Sequence, residues 1–180
     1  MFRKHNEPEI NKTIRKLAEY LLENGLDAVF RKKAKEMSVS GEDLDDLQNL
    51  FFTPPNESEI YSPEIHGLGG WLSSCQFAIF ELIYCVGEDA LPFIREIAWG
   101  EYDWTQANAI ELLIRFAADG VDREGIVEEI KSNYPRIRHE AQLYTIQPLL
   151  TELDQNRELK LVFDALLEIA DFKEAYEELT

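Results

Sequence analysis

Cysteine, histidine, methionine and long apolar runs are all scarce in this chain. Its 180 residues include two cysteines, three histidines and two methionines. Cys75 and Cys85 lie ten residues apart in what reads as one helix, a separation of about 15 Å at the rise of an α-helix and beyond the reach of a disulfide. Both are expected to be free thiols packed in a core; that suits a reducing compartment, and the cytoplasm is the expected location. The most apolar stretch, Trp71 to Val86, is interrupted by Ser73, Ser74, Gln76 and Glu81, short of the roughly 18 apolar residues that a membrane span needs. No apolar segment follows Arg3 and Lys4, so no secretory leader is expected.

Clusters that carry chemistry are equally sparse. His5, His66 and His139 are remote from one another, and neither cysteine has a histidine at ligand spacing, so no metal is expected. The run His66-Gly67-Leu68-Gly69-Gly70 lacks the lysine and the preceding strand of a phosphate loop and reads as a flexible lead into the next helix. The pairs Glu128-Glu129 and Glu177-Glu178 are neighbours in expected helices. Adjacent helical side chains diverge, unlike an acid and base held across a cleft. No catalytic residue and no cofactor are expected.

Positive charge is the other shortage. The chain holds 18 Lys and Arg against 35 Asp and Glu, a net charge of −17. Residues 1–36 carry +3, residues 37–104 carry 13 acids against the single base Arg95, and residues 105–180 carry −8. Such a surface repels phosphate backbones, so nucleic acid is not an expected partner; with no apolar run long enough to span it, neither is a membrane. The acidic surface suits a basic protein partner, or serves solubility alone.

What is present is helical periodicity. Ile10, Ile14, Leu17 and Leu21 predict a helix over about Glu9–Asn24, with Asn6 as candidate cap and Gly25 at its end. A second helix is expected near Leu26–Met37 with Leu26, Val29, Phe30 and Ala34 inward; the cations Arg31, Lys32, Lys33 and Lys35 near its tail complement the helix dipole. Ser40 and Asp43 form a weak capping box before a third helix carrying Leu44, Leu47, Leu50 and Phe51. Residues 53–69, with Pro54, Pro55 and Pro63, form the long irregular connection. From Gly70 to Val86 apolar residues occur on every side, the pattern of a buried helix and the expected spine of the fold.

A repeat then emerges. Residues 87–97 align with 120–130 without a gap at an offset of 33: Gly87 with Gly120, Asp89 with Asp122, Phe93-Ile94 with Ile126-Val127, and Glu96-Ile97 with Glu129-Ile130. Glycine would end one helix, aspartate would cap the next, and the apolar pairs would face inward. Ala78-Ile79 and Leu82-Ile83 correspond to Ala109-Ile110 and Leu113-Ile114 at 31, and Ala107 to Ala141 at 34. Pro148 should kink or break the first helix of the third unit. Leu159, Val162, Phe163 and Leu166 mark its partner helix, and a last helix from Phe172 to Leu179 covers the end.

The run Gly87-x-Asp89-Ala90-Leu91-Pro92 with Arg95-Glu96, followed by Trp104 and Ala109-Ile110, resembles HEAT-like repeats of the short bacterial kind over residues 70–170. The resemblance implies an all-α fold, an α-α superhelix of stacked helical hairpins with about nine or ten helices. The expected organisation is one domain over 1–180: helices in 1–52, a loop over 53–69, hairpins over 70–170 and a capping helix over 171–180. Gln106 and Asn108 depart from the positive residue usual in that family, and residues before 70 do not follow the period.

Fold alone does not specify activity. The leading expectation is a non-enzymatic protein-interaction module with an acidic surface for a basic partner. Two others stand beside it: an immunity protein or antitoxin neutralising a basic toxin, and a HEAT-like enzyme of the pigment-lyase or DNA-glycosylase type. The glycosylase variant needs a basic concave face, whereas the second helices offer Glu96, Glu124, Glu128 and Glu129 against Arg95 and Lys131. Candidate partner-binding residues fall in two groups. The first is acidic: Asp43, Asp45, Asp46, Glu57 and Glu59. The second is the aromatic turn of Trp99, Glu101, Tyr102, Asp103 and Trp104, where rigid rings stand beside acids.

Overall fold

The computed structural model describes residues 8–101 and 103–180; Arg3, Lys4, His5, the candidate cap Asn6 and the candidate binding residue Tyr102 lie outside the described residues. The fold is all-α. Among the described residues there are twelve α-helices and no strand, and two of the helices are single turns of four residues, leaving ten longer ones. The chain divides into two compact units, residues 1–86 and 87–180.

In the N-terminal unit, α1 (Glu9–Asn24) has the bounds its periodicity predicts and buries Ile14, Leu17, Ala18 and Leu21. Helix α2 (Ala28–Glu36) starts later than its apolar pattern suggested. The Asp27 carboxylate accepts the backbone N–H of Phe30 at 2.7 Å and so sets the first turn. That start leaves Leu26 outside the helix. It turns Phe30 and Ala34, four residues apart, onto the core, and Val29 away from it. Leu26 and Val29, expected inward, are therefore exposed. Arg31, expected to complement the helix dipole, also reaches the buried Glu81 at 3.6 Å. Before α3 (Leu44–Phe52), the Asp43 carboxylate accepts the backbone N–H of Ser40 at 2.8 Å, as the capping pattern required. Residues 53–69 contain one short helix, α4 (Pro63–His66). Helix α5 (Gly70–Val86) is central to this unit, and α1, α2 and α3 all pack on it. Cys75 is buried there, and loss of hydration pushes its thiol up to about 12. It is core filling and no nucleophile. Both cysteines are free.

The C-terminal unit is built around α7 (Gln106–Ala118), against which α6 (Leu91–Trp99), α8 (Arg123–Asn133), α9 (His139–Ile146) and α11 (Arg157–Leu166) pack. All of α7 except Asn108 is buried, including Glu111 and Arg115, which pair at 3.5 Å one turn apart. Each unit thus has its own enclosed helix, where a single spine at 71–86 was expected. The first expected hairpin is split between the units, α5 in one and α6 in the other.

The matched glycines behave alike: Gly87 has φ +93° and Gly120 φ +85°, a region open to glycine at no steric cost. The matched aspartates do not cap as expected. Asp89 lies inside a 3-10 turn, and Asp122, at φ +41°, makes no side-chain cap bond. The Asp122 carboxylate is drawn instead to Arg95 at 2.6 Å. Pro148 breaks its helix, which resumes as a single turn, α10 (Leu150–Leu153), after a 3-10 turn at Gln147–Leu149. The last helix, α12 (Ala170–Leu179), packs on α9.

Ion pairs link α6 to α8, and α8 to α11 and the turn after it. Arg95 of α6 meets Glu129 of α8 at 2.7 Å, Arg123 of α8 meets Glu158 of α11 at 2.7 Å, and Lys131 of α8 reaches Glu168, beyond α11, at 3.3 Å. Arg123 also donates to the carbonyls of Ala117 and Ala118, satisfying the last turn of α7.

Two outcomes follow from this packing. Ile79 is wholly buried on α5, so Ile79→Ala should lower unfolding free energy by about 3 kcal/mol, read from urea titration. His139 holds the Glu178 carboxylate at 2.9 Å, and hydrogen bonds to Gln142 and Glu178 raise its pKa above 6.5. A raised cation pKa means that the stabilisation is complete below the unfolded value near 6.5 and is lost as pH climbs through the folded one. Thermal midpoints measured from pH 6 upward should therefore fall more for the wild type than for His139→Gln.

Candidate functional site

Residues 53–69 are irregular in outline but tied down along their length. The Trp71 indole N–H donates to the Pro55 carbonyl at 2.8 Å, Arg15 donates to the Asn56 carbonyl at 2.9 Å, and the hydroxyl of buried Ser58 donates to Glu19. The tip is pinched shut. Tyr61 shares its one hydroxyl proton between the carbonyls of Gly67 at 2.8 Å and Leu68 at 3.0 Å, and its ring stacks on His66. His66 Nδ1 in turn accepts the Ser62 backbone N–H at 3.0 Å. Gly70 closes the pinch, because a Cβ there would stand 3.0 Å from the His66 Cβ.

This scaffold holds apolar side chains outward. Ile65 is 78% exposed, Leu68 is 93% exposed, and Phe52, Ile60 and Leu72 are exposed on the same stretch. The charged neighbours in sequence are acids: Glu57, Glu59 and Glu64 are all exposed, and no base occurs from 37 to 94. The Ser62 hydroxyl donates to Glu64 and holds its carboxyl below the ordinary range, so the group stays ionised.

The predicted acidic group is only partly available. Glu57 and Glu59 are exposed on the loop, and Asp45 and Asp46 are exposed in the first turn of α3. Asp43 is half-buried and engaged with Ser40. The predicted aromatic turn belongs to the other unit. Trp99 is half-buried, with its indole N–H on Glu129 at 3.3 Å, and Trp104 is 42% exposed. Glu101 is exposed, while Asp103 accepts both the backbone N–H and the hydroxyl of Thr105 at 2.7 and 2.9 Å. Asp103 thus shapes the turn into α7.

Comparison of the chain with protein-family models, with curated proteins and with solved structures finds no match. Among the described residues no three His, Cys, Asp or Glu side chains are grouped to hold a metal, and no helix is long and apolar enough to cross a membrane.

The apolar side chains of this loop are not legible from periodicity as surface residues. The spacing Ile65, Leu68, Leu72 was there to be seen, but periodicity alone places such residues against a core. The C-terminal unit has a cavity beside Trp99 that takes in Arg136 and Arg138, more than 30 residues further along the chain, which no local pattern marks. The pinch itself is testable. Tyr61→Phe removes the two bonds to the loop carbonyls, and chymotryptic cleavage after Leu68 should then rise severalfold while the circular dichroism spectrum is unchanged. An unaltered cleavage rate would show that the tip is held by other contacts.

Proposed function

We propose that this chain is a non-enzymatic protein-binding module whose N-terminal unit offers apolar side chains, set in an acidic surface, to a basic protein partner. The observation that carries this is the exposure of Ile65 and Leu68 on a loop whose backbone is hydrogen-bonded in place. Single exposed apolar residues are ordinary on any surface. Several on one short, pinned stretch supply ready contact area, at about 25 cal/mol per Å² of apolar surface covered. Because the loop is already ordered, a partner need not supply its ordering entropy. The carboxylates of Glu57, Glu59 and Glu64 set the sign of the partner and speed its approach. A cytoplasmic location suits a chain with two free thiols.

A HEAT-like stack in the C-terminal unit is the scaffold we infer beside it. Its support is the ion pairs that link α6 to α8, and α8 to α11 and the turn after it, whose partners lie 34, 35 and 37 residues apart, close to the repeat offset of 33. Surface pairs of this kind add little stability, but they mark which helices are neighbours.

The test is comparative capture from native lysate at low salt, using the wild type, the Ile65→Ser/Leu68→Ser double variant and the Glu57→Gln/Glu59→Gln/Glu64→Gln triple variant. The expected outcome is a partner of net positive charge, retained at least about tenfold less by the double variant, with a flatter salt dependence for the triple variant. A captured set that is acidic, or that all three proteins retain equally, would sink the proposal.

A further inference from the structure

The C-terminal unit contains a cavity of about 360 Å³, lined by Trp99, Gln106, Asn133, Arg136, Ile137 and Arg138, with Gly100 at its margin. Its charged lining is of one sign: two arginines and no carboxylate, in a chain of net charge −17. That inversion needs a local cause, since residues 105–180 hold twice as many acids as bases.

Each wall is fixed by contacts of its own. Trp99, at the end of α6, is held by Glu129 through its indole N–H. Gln106 is buried at the start of α7 and donates to the Ala98 carbonyl at 3.2 Å. Asn133, at the end of α8, donates to the Glu129 carbonyl at 2.8 Å. Arg136, Ile137 and Arg138 follow buried Tyr134, whose hydroxyl donates to the Gln142 carbonyl at 2.8 Å while the Gln142 amide donates back to the Tyr134 carbonyl at 3.1 Å. This reciprocal clamp spans the α8–α9 turn and fixes the base of the arm that carries both arginines. Gly100 permits the close turn beside Trp99, since a Cβ there would stand 2.6 Å from the Glu96 carbonyl oxygen.

We propose that this cavity binds a small planar aromatic anion, with its ring against the Trp99 indole and its carboxylate or phosphate against Arg136 and Arg138. The volume is that of a small-molecule site, which typically spans about 300–1,000 Å³. Guanidinium groups pair with carboxylate and phosphate oxygens through two parallel hydrogen bonds. An indole and Ile137 offer apolar contact to a ring, and the second N–H and the carbonyl of each side-chain amide can orient it. Cations are excluded by the arginines. The proposal does not depend on the apolar loop of the N-terminal unit.

The test is titration of the full chain with 2-naphthoate and 1-naphthyl phosphate, followed by calorimetry and by the Trp99 indole N–H resonance, identified with Trp99→Phe. The neutral 2-naphthamide supplies the ring without charge; acetate and inorganic phosphate supply charge without the ring. The expected result is one site per chain at which one of the two naphthyl anions binds at least about tenfold more tightly than every control and shifts the Trp99 signal. Which anion wins distinguishes carboxylate from phosphate recognition. Arg136 is exposed, so Arg136→Gln should keep the fold and weaken that anion at least about fivefold. Equal binding of 2-naphthamide, equal binding of acetate or phosphate, unchanged affinity in Arg136→Gln, or no saturation up to about 10 mM would each overturn the proposal.

Discussion

Helices α5 and α7 carry apolar side chains on every side, so each has to be enclosed, and the rest of each unit is arranged around that requirement. Around α5 the covering helices are α1, α2 and α3; around α7 they are α6, α8, α9 and α11. Enclosure makes every polar group on those helices costly unless it is paired. Glu81 is met by Arg31 and Glu111 by Arg115. Trp71 finds the Pro55 carbonyl, and Thr145 on α9 finds the Ala141 carbonyl within its own helix. The Arg31–Glu81 pair ties α2 to a definite rotation on α5, since a helix turned by one residue would leave a charge without its partner; Glu111 and Arg115 pair within α7 itself.

The same demand explains the loop over 53–69. Trp71 sits at the start of the enclosed α5, and its indole N–H draws the Pro55 carbonyl over it, while Arg15 and Glu19 on α1 hold Asn56 and Ser58. The loop is fastened because α5 and α1 need a lid at that end. Its backbone is spent on those contacts and on the Tyr61 pinch, so Ile65 and Leu68 are left facing water. Exposed apolar side chains on a hydrogen-bonded loop, with Glu57, Glu59 and Glu64 beside them in sequence, are therefore a by-product of closing the core.

Much of the architecture was legible because it rests on local rules. The bounds of α1 followed from a spacing of three and four residues closed by Gly25, the cap of α3 from Ser40 and Asp43, and the break after Ile146 from Pro148. Gly87 and Gly120 announced matching left-handed turns. Where local rules compete, pattern was insufficient. Asp122 has the right type and place to cap α8, but a guanidinium 27 residues away in sequence binds its carboxylate more strongly than a backbone N–H would. Leu26 and Val29 look inward until Asp27 sets the start of α2 and rotates them out. Nothing local marks Glu111 and Arg115 as interior residues, and it is the helices packed around α7 that bury them together.

The amino-acid order by itself determined the all-α class, the bounds of α1, the end of α3, the absence of a disulfide and the steep acidic imbalance, because each depends on neighbours within a few residues or on composition. The tertiary structure alone decided the division into two units, the choice of α7 as the second enclosed helix, the exposure of Ile65 and Leu68, and the placing of Trp99, Arg136 and Arg138 around one cavity. Those outcomes depend on which helix faces compete for the same buried space. That competition joins residues tens of positions apart and is resolved only when the whole chain packs.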